Sequence, residues 1–124
     1  MGTVLRVVGI LLVLLCAVAA VLLGRAPAWV LVAYAMLGAV SFGVYGFDKR
    51  AARRGDWRVT EASMHGIDLI GGIAGGLLGQ LMFRHKTRKG SFAAASALIA
   101  AGHIAALGTL IAGLWRVPGL LFVA

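Results

Sequence analysis

The sequence is poor in charge, in acid and in cysteine, and each shortage excludes something. Only 13% of its 124 residues are charged and 61% are hydrophobic, against about 25% charged in an ordinary soluble domain. A soluble fold this small leaves much of its surface exposed and could not hide so much apolar chain. Lipid is the expected solvent. Four acidic residues stand against twelve Lys and Arg, a net +8. That balance points to an anionic partner, with phospholipid headgroups the nearest at hand. The single cysteine, Cys16, lies in an apolar run and forms no internal disulfide, so no redox compartment follows. Also missing are a nucleophile elbow, a P-loop, a cysteine-based metal motif and HExxH. The glycine run does not match G-x-G-x-x-G. No cofactor is implied.

What is present is a series of apolar runs, read as one all-α integral membrane domain over residues 1–124 with three full spans and a short glycine-rich segment. The first run is 7–23, preceded by Arg6. The following Ala26-x-Ala28 resembles a signal-peptidase site, but 17 apolar residues exceed the ~7–15 of a signal core. An uncleaved helix is expected, and Leu15 before Cys16 argues against a lipoprotein site. The second run, 29–47, is long enough at ~1.5 Å per residue to cross a ~30 Å core. Trp29 at one end, and Tyr45 and Phe47 at the other, read as interfacial belts. A basic segment, 48–66, follows, and five of the residues Asp48 to Thr60 are Lys or Arg.

Residues 67–83 are the short segment, with Asp68, Gln80 and five glycines. A second basic cluster occupies 84–92, and the last span is 93–115, with His103 inside it as an interhelical hydrogen-bonding candidate. If 67–83 crosses, the cations divide seven against five between the two sides. If it enters and returns, Arg6 and both clusters share a side, and the division is ten against two, Arg25 and Arg116 being the two. The positive-inside bias favours the second arrangement, with the amino-terminal end and both clusters cytoplasmic. Against it, a continuous helix would put Glu61, His65, Asp68, Gly72, Gly75, Gly76 and Gly79 on one stripe. Gly71, Gly72, Gly75, Gly76 and Gly79 form overlapping small-xxx-small pairs that mark close helix packing.

Glu61, His65 and Asp68 have the spacing of a weak metal or proton-transfer site. The alternative is a Glu at a helix start behind an N-cap Thr60. Asp68, ionisable at membrane depth, is expected to be paired with Lys49, Arg58, Arg84 or Lys86. Lys49, Arg58, Arg84, Lys86 and Lys89 are candidate anion ligands.

From Tyr45 to Phe92 the sequence resembles a bacterial membrane family, domain of unknown function 1294. The residues that carry the resemblance are Tyr45-x-x-Asp48-Lys49, Arg58-Val59-x-Glu61, His65, Gly71-Gly72, Gly75 and His85-Lys86-Thr87-x-Lys89-x-x-Phe92. The resemblance implies a small multi-span protein and no particular reaction. Some members carry a cold-shock domain ahead of the membrane part. None precedes this one, so direct nucleic-acid binding is not expected. Members often have Trp-Pro, which would favour a broken helix, where this sequence has Ile73-Ala74.

The favoured function is non-enzymatic: a membrane module whose basic face binds anionic lipid or another phosphate-bearing partner. The alternatives are a membrane enzyme acting on a phosphorylated or lipid substrate through Asp48, Glu61, His65, Asp68 and His85, and a small homo-oligomeric transporter lined by the glycine-rich segment.

Overall fold

A computed structural model describes residues 2–55, 59–83 and 90–116, and among these every regular element is helical. The helices are α1 (Thr3–Leu22), α2 (Ala28–Arg54), α3 (Glu61–Ile67), α4 (Ile73–Phe83) and α5 (Gly90–Ile111), with a π-helical turn at Asp68–Gly72 joining α3 to α4. Four segments are long and apolar enough to cross a membrane: α1, α2, α5 and the stretch Glu61–Phe83.

Two boundaries differ from the hydropathy reading in an instructive way. α2 runs seven residues past Phe47, because Asp48 to Arg54 are compatible with helix and Arg53 and Arg54 complement its carboxy-terminal dipole. It stops at Gly55, whose φ of 71° supplies the left-handed cap. α5 begins at Gly90, before the apolar run proper.

The stretch Glu61–Phe83 is long enough to span but does not run straight. Gly71 has φ 140° and ψ −4°, a conformation closed to other residues without strain. There the chain turns back. On the way in, Met64 packs with Val44, Tyr45 and Phe92, Asp68 reaches Ser41 and Tyr45, and Gly71 lies against Leu37. On the way out, Gly75 meets Gly38, Gly79 meets Tyr45, and Phe83 lies against Gly46. Position along α2 therefore falls from Tyr45 to Leu37 and climbs again, so α3 and α4 are the two arms of a hairpin. A single continuous glycine stripe from Glu61 onward does not exist, because the reversal interrupts it.

The hairpin is enclosed on three sides. α2 carries the closest packing. α1 covers α4 through Gly9 beside Leu77 and through Val13, which joins Ile73, Leu77 and Ala100 of α5 in one buried cluster. A separate cluster of Ala20, Ala26, Val30 and Leu110 ties the far ends of α1, α2 and α5 together. A turn inside an apolar bundle gains from such a covering of protein, because apolar surroundings offer its backbone no hydrogen bonds.

Candidate functional site

The space between the hairpin and its neighbours holds a buried polar chain. Ser41 Oγ donates to Asp68 Oδ1 at 2.5 Å and Tyr45 Oη donates to Asp68 Oδ2 at 2.9 Å. Gln80 Nε2 donates to Ser96 Oγ at 3.0 Å and, more weakly, to Tyr45 Oη at 3.4 Å. Arg6 Nε donates to Gln80 Oε1 at 2.8 Å. All six side chains are at most 3% exposed. Every donor in the sequence Arg6, Gln80, Tyr45, Asp68 points the same way, from the cation toward the carboxylate. The two charges are linked through an amide and a phenol rather than by contact, and α1, α2, α4, α5 and the π-turn each contribute a group. Hydrogen bonds in such low dielectric are electrostatically stronger than in water, and a chain of them polarises its members in one direction.

Glycine makes this closeness available. A Cβ at Gly76 would run into the Asp68 carboxylate, and one at Gly75 would overlap the Gly38 backbone. At Gly72 it would come within 2.9 Å of the Leu37 carbonyl and Ser41 Cβ, and at Gly79 within 2.8 Å of Tyr45 Cβ. Gly72, Gly75 and Gly79 thus let α4 and the turn rest on α2, Gly76 houses the carboxylate, and Gly71 is the reversal itself.

Of the cations expected to pair with Asp68, Lys49 is the one the structure describes, and it does not reach the carboxylate. Among the described residues its partners are the two hydroxyls, and Lys49 instead donates from Nζ to the Phe83 carbonyl. Capping the last turn of α4 suits a cation, since the carboxy-terminal carbonyls lack helical partners and carry partial negative charge. The other expected partners, Arg58, Arg84 and Lys86, lie outside the described residues, as do the candidates His85 and Lys89.

Glu61, His65 and Asp68 do not converge. Glu61 is the first residue of α3, behind Thr60, whose hydroxyl caps Ser63 N–H at 3.1 Å. The His65 ring lies on Phe92 with centroids 4.4 Å apart, while Asp68 is sealed beneath Ser41 and Tyr45. Among the described residues no group of three His, Cys, Asp or Glu stands close enough to hold a metal. Asp48 is fully buried and accepts from Val59 N–H at 2.9 Å, which ties the residue ahead of Thr60 to α2.

Sequence reasoning placed Tyr45 in an interfacial belt, yet its ring is fully buried. It passed over Ser41 and Ser96 and counted Arg6 only as a topological charge. A signal for Ser41 and Tyr45 was available: Gly38, Ser41, Tyr45 and Asp48 recur at helical spacing in an otherwise apolar run, and all four are buried on one face. Ser96 and Arg6 carry no comparable local signal, because their roles depend on where Gln80 arrives.

The arrangement holds two hydroxyls, an amide, a cation and a carboxylate in fixed register. Its chemical capacity is to keep a charge inside the bundle and to lock the hairpin in place. The "Uncharacterized protein YsdA" of Bacillus subtilis (strain 168) is 39% identical over 57 residues, which cover 46% of this chain. The chain spans 64% of that relative's length. No solved structure matches. Residues 38–92, which include Ser41, Tyr45, Asp48, Asp68, Gln80 and all the hairpin glycines, match the family described as protein of unknown function (DUF1294), the family that the Tyr45–Phe92 pattern resembles.

Proposed function

We propose that this chain is a multi-pass bacterial inner-membrane protein in which α1, α2 and α5 cross the bilayer, the hairpin enters and leaves on one side, and the basic cytoplasmic face binds anionic phospholipid headgroups. One observation carries the reading. The reversal at Gly71 returns Phe83 to the level of Lys49 on α2, so the hairpin ends on the same side as the close of α2 with Arg50, Arg53 and Arg54. On this reading that side holds the nine cations of the two basic clusters. Arg6 is at that end too, and only Arg25 and Arg116 belong to the other. Ten against two is the asymmetry that short cytoplasmic loops carry.

Binding falls to the cations that the fold leaves available. Lys49 is engaged by Phe83, but Arg50, Arg53 and Arg54 at the end of α2 are exposed. Each such residue near an anionic surface contributes about 1 kcal/mol. Against the enzymatic alternative stands the separation of its candidates: Asp68 is enclosed, His65 lies on Phe92, and Asp48 is bound to Val59. Against the transporter alternative stands the packing of the glycines on α2, which leaves them no pore to line.

The test is selective lipid capture. The full chain in nanodiscs of mixed phosphatidylglycerol and phosphatidylcholine, released and weighed by native mass spectrometry, should retain phosphatidylglycerol above its bulk fraction. Arg50→Gln/Arg53→Gln/Arg54→Gln should lose that enrichment at unchanged thermal stability. Equal retention by the triple variant would overturn the proposal.

A further inference from the structure

Past the hairpin tip the bundle is incomplete. α2 and α5 continue beyond Leu37 and His103, but the hairpin does not, and between them lies a cavity of about 310 Å³. Ile70 and Gly71 form its roof; Trp29, Tyr34 and Leu37 of α2 face Leu107 and Trp115. A more open groove of about 460 Å³ runs along α5 past Leu69 and Leu98 and meets the cavity at Ala106. Together they fall within the range of sites that hold a small ligand, about 300–1,000 Å³. Leu69 at the tip lines the groove and Ile70 the cavity, and both are largely exposed.

The walls are apolar and the mouth is not. Trp115 is held as a wall by donation from Nε1 to the Ala106 carbonyl at 3.0 Å and Thr109 Oγ1 at 2.9 Å. Near it the Arg25 guanidinium lies over the turn that ends α5, within 3.4 Å of where a Cβ on Gly113 would stand. Arg25 and Arg116 are exposed and are the two cations of this end. Ala26, next in the chain, packs on Val30 and Leu110 of the cavity wall. An apolar slot at hydrocarbon depth, with indoles and a guanidinium at its edge, has the polarity profile of a phospholipid: chain within, phosphate at the rim.

We propose that this cavity binds an acyl chain of an anionic phospholipid from the leaflet opposite the basic face, the chain lying beneath the hairpin tip and the phosphate meeting Arg25. The site rests on the membrane placement given above but not on lipid binding by the basic face. Its occupant completes the bundle where the hairpin stops short.

The experiment places the full chain in phosphatidylcholine nanodiscs doped with phosphatidylglycerol bearing a diazirine near the end of one acyl chain. After irradiation, adducts are mapped by mass spectrometry. Adducts should concentrate several-fold at Trp29–Leu37 and Ala106–Trp115 over Leu11 and Leu15 on the exposed face of α1. Ala106→Phe and, as a second filling variant, Ala33→Phe should return that excess to the α1 level while the melting temperature holds. Arg25→Gln should reduce labelling by the phosphatidylglycerol probe relative to a phosphatidylcholine probe. Even labelling over the bundle, or an excess that survives both filling variants, overturns the site. An unchanged probe ratio in Arg25→Gln overturns the headgroup assignment. Arg50→Gln/Arg53→Gln/Arg54→Gln should leave these adducts unchanged, which separates this site from the basic face.

Discussion

The two halves of the bundle are built on different principles. From Gly38 to Asp48 of α2, the core contains two carboxylates, a guanidinium, an amide, a phenol and two hydroxyls, all buried. From Trp29 to Leu37 the contacts are apolar, the packing opens into a cavity, and Tyr34 and His103 are the polar pair. The difference follows from what each half must hold. Crossing helices keep their place through length and composition, because lipid solvates their outer faces. In the proposed placement a half-depth hairpin has no such constraint, and burying apolar surface gives little drive when lipid tails are equally apolar. Close backbone approach and hydrogen bonds are the remaining means, and both are concentrated where the hairpin lies.

The largest effect to expect concerns that placement as a whole. Single cysteines at Ala52 and Thr87, in a Cys16→Ala background, should both be shielded from a membrane-impermeant thiol reagent in intact cells. If only one is shielded, the hairpin crosses the membrane and the contrast between the halves loses its explanation.

Next comes the glycine contact. Gly75→Ala places a methyl group into the Gly38 backbone, which cannot yield as a flexible side chain can. Overpacking of this kind costs about 1–3 kcal/mol or more. Gly102→Ala, on the open side of α5 where a Cβ meets nothing within 4 Å, should be neutral or slightly stabilising. Unfolding midpoints in detergent that coincide for the two variants would remove the distinction between a packing glycine and a merely helical one.

An effect of comparable size belongs to the polar chain. Asp68→Leu leaves the Ser41 and Tyr45 hydroxyls without their acceptor, at about 1–3 kcal/mol for each buried group. It should exceed Ser41→Ala or Tyr45→Phe alone. Because Arg6 and Asp68 are linked through Gln80 and Tyr45, Arg6→Gln and Asp68→Asn should be non-additive, with a coupling of about 0.5–3 kcal/mol. Lys49→Gln and Asp68→Asn should be additive. Stability measurements that reverse this pattern would return Lys49 to the role that sequence proximity assigned it.

The sequence reveals the helices more readily than the site. Apolar runs and two basic clusters are enough to locate α1, α2 and α5, since the property that makes each helix is local. The hairpin was open to two readings because glycine at i and i+4 serves a packing face and a reversal equally well. Only the φ of Gly71 separates it from Gly75, and no neighbour in sequence dictates that angle. Asp68 stood out because an ionisable group in an apolar segment is conspicuous alone. Its partners did not, because Arg6 is 62 residues away and reaches it through groups that look unremarkable in their own helices.

The least effect, and the most local, is expected at His103, where the two halves meet. Breaking the helix at Gly71 disrupts the regular hydrogen-bond ladder around the turn, and the Leu69 carbonyl lies 2.9 Å from His103 Nε2. A carbonyl only accepts, so Nε2 carries the proton and Nδ1 must accept from the Tyr34 hydroxyl, 2.7 Å away. The imidazole therefore joins α2, α5 and the hairpin tip through one defined tautomer. His103→Leu should remove both bonds at about 0.6 kcal/mol each, the average for interhelical hydrogen bonds in membranes. Tyr34→Phe should cost less, because it leaves the bond to Leu69 in place. If Tyr34→Phe is as harmful as His103→Leu, the hairpin tip gains nothing from the imidazole, and the Leu69 carbonyl must be satisfied in another way.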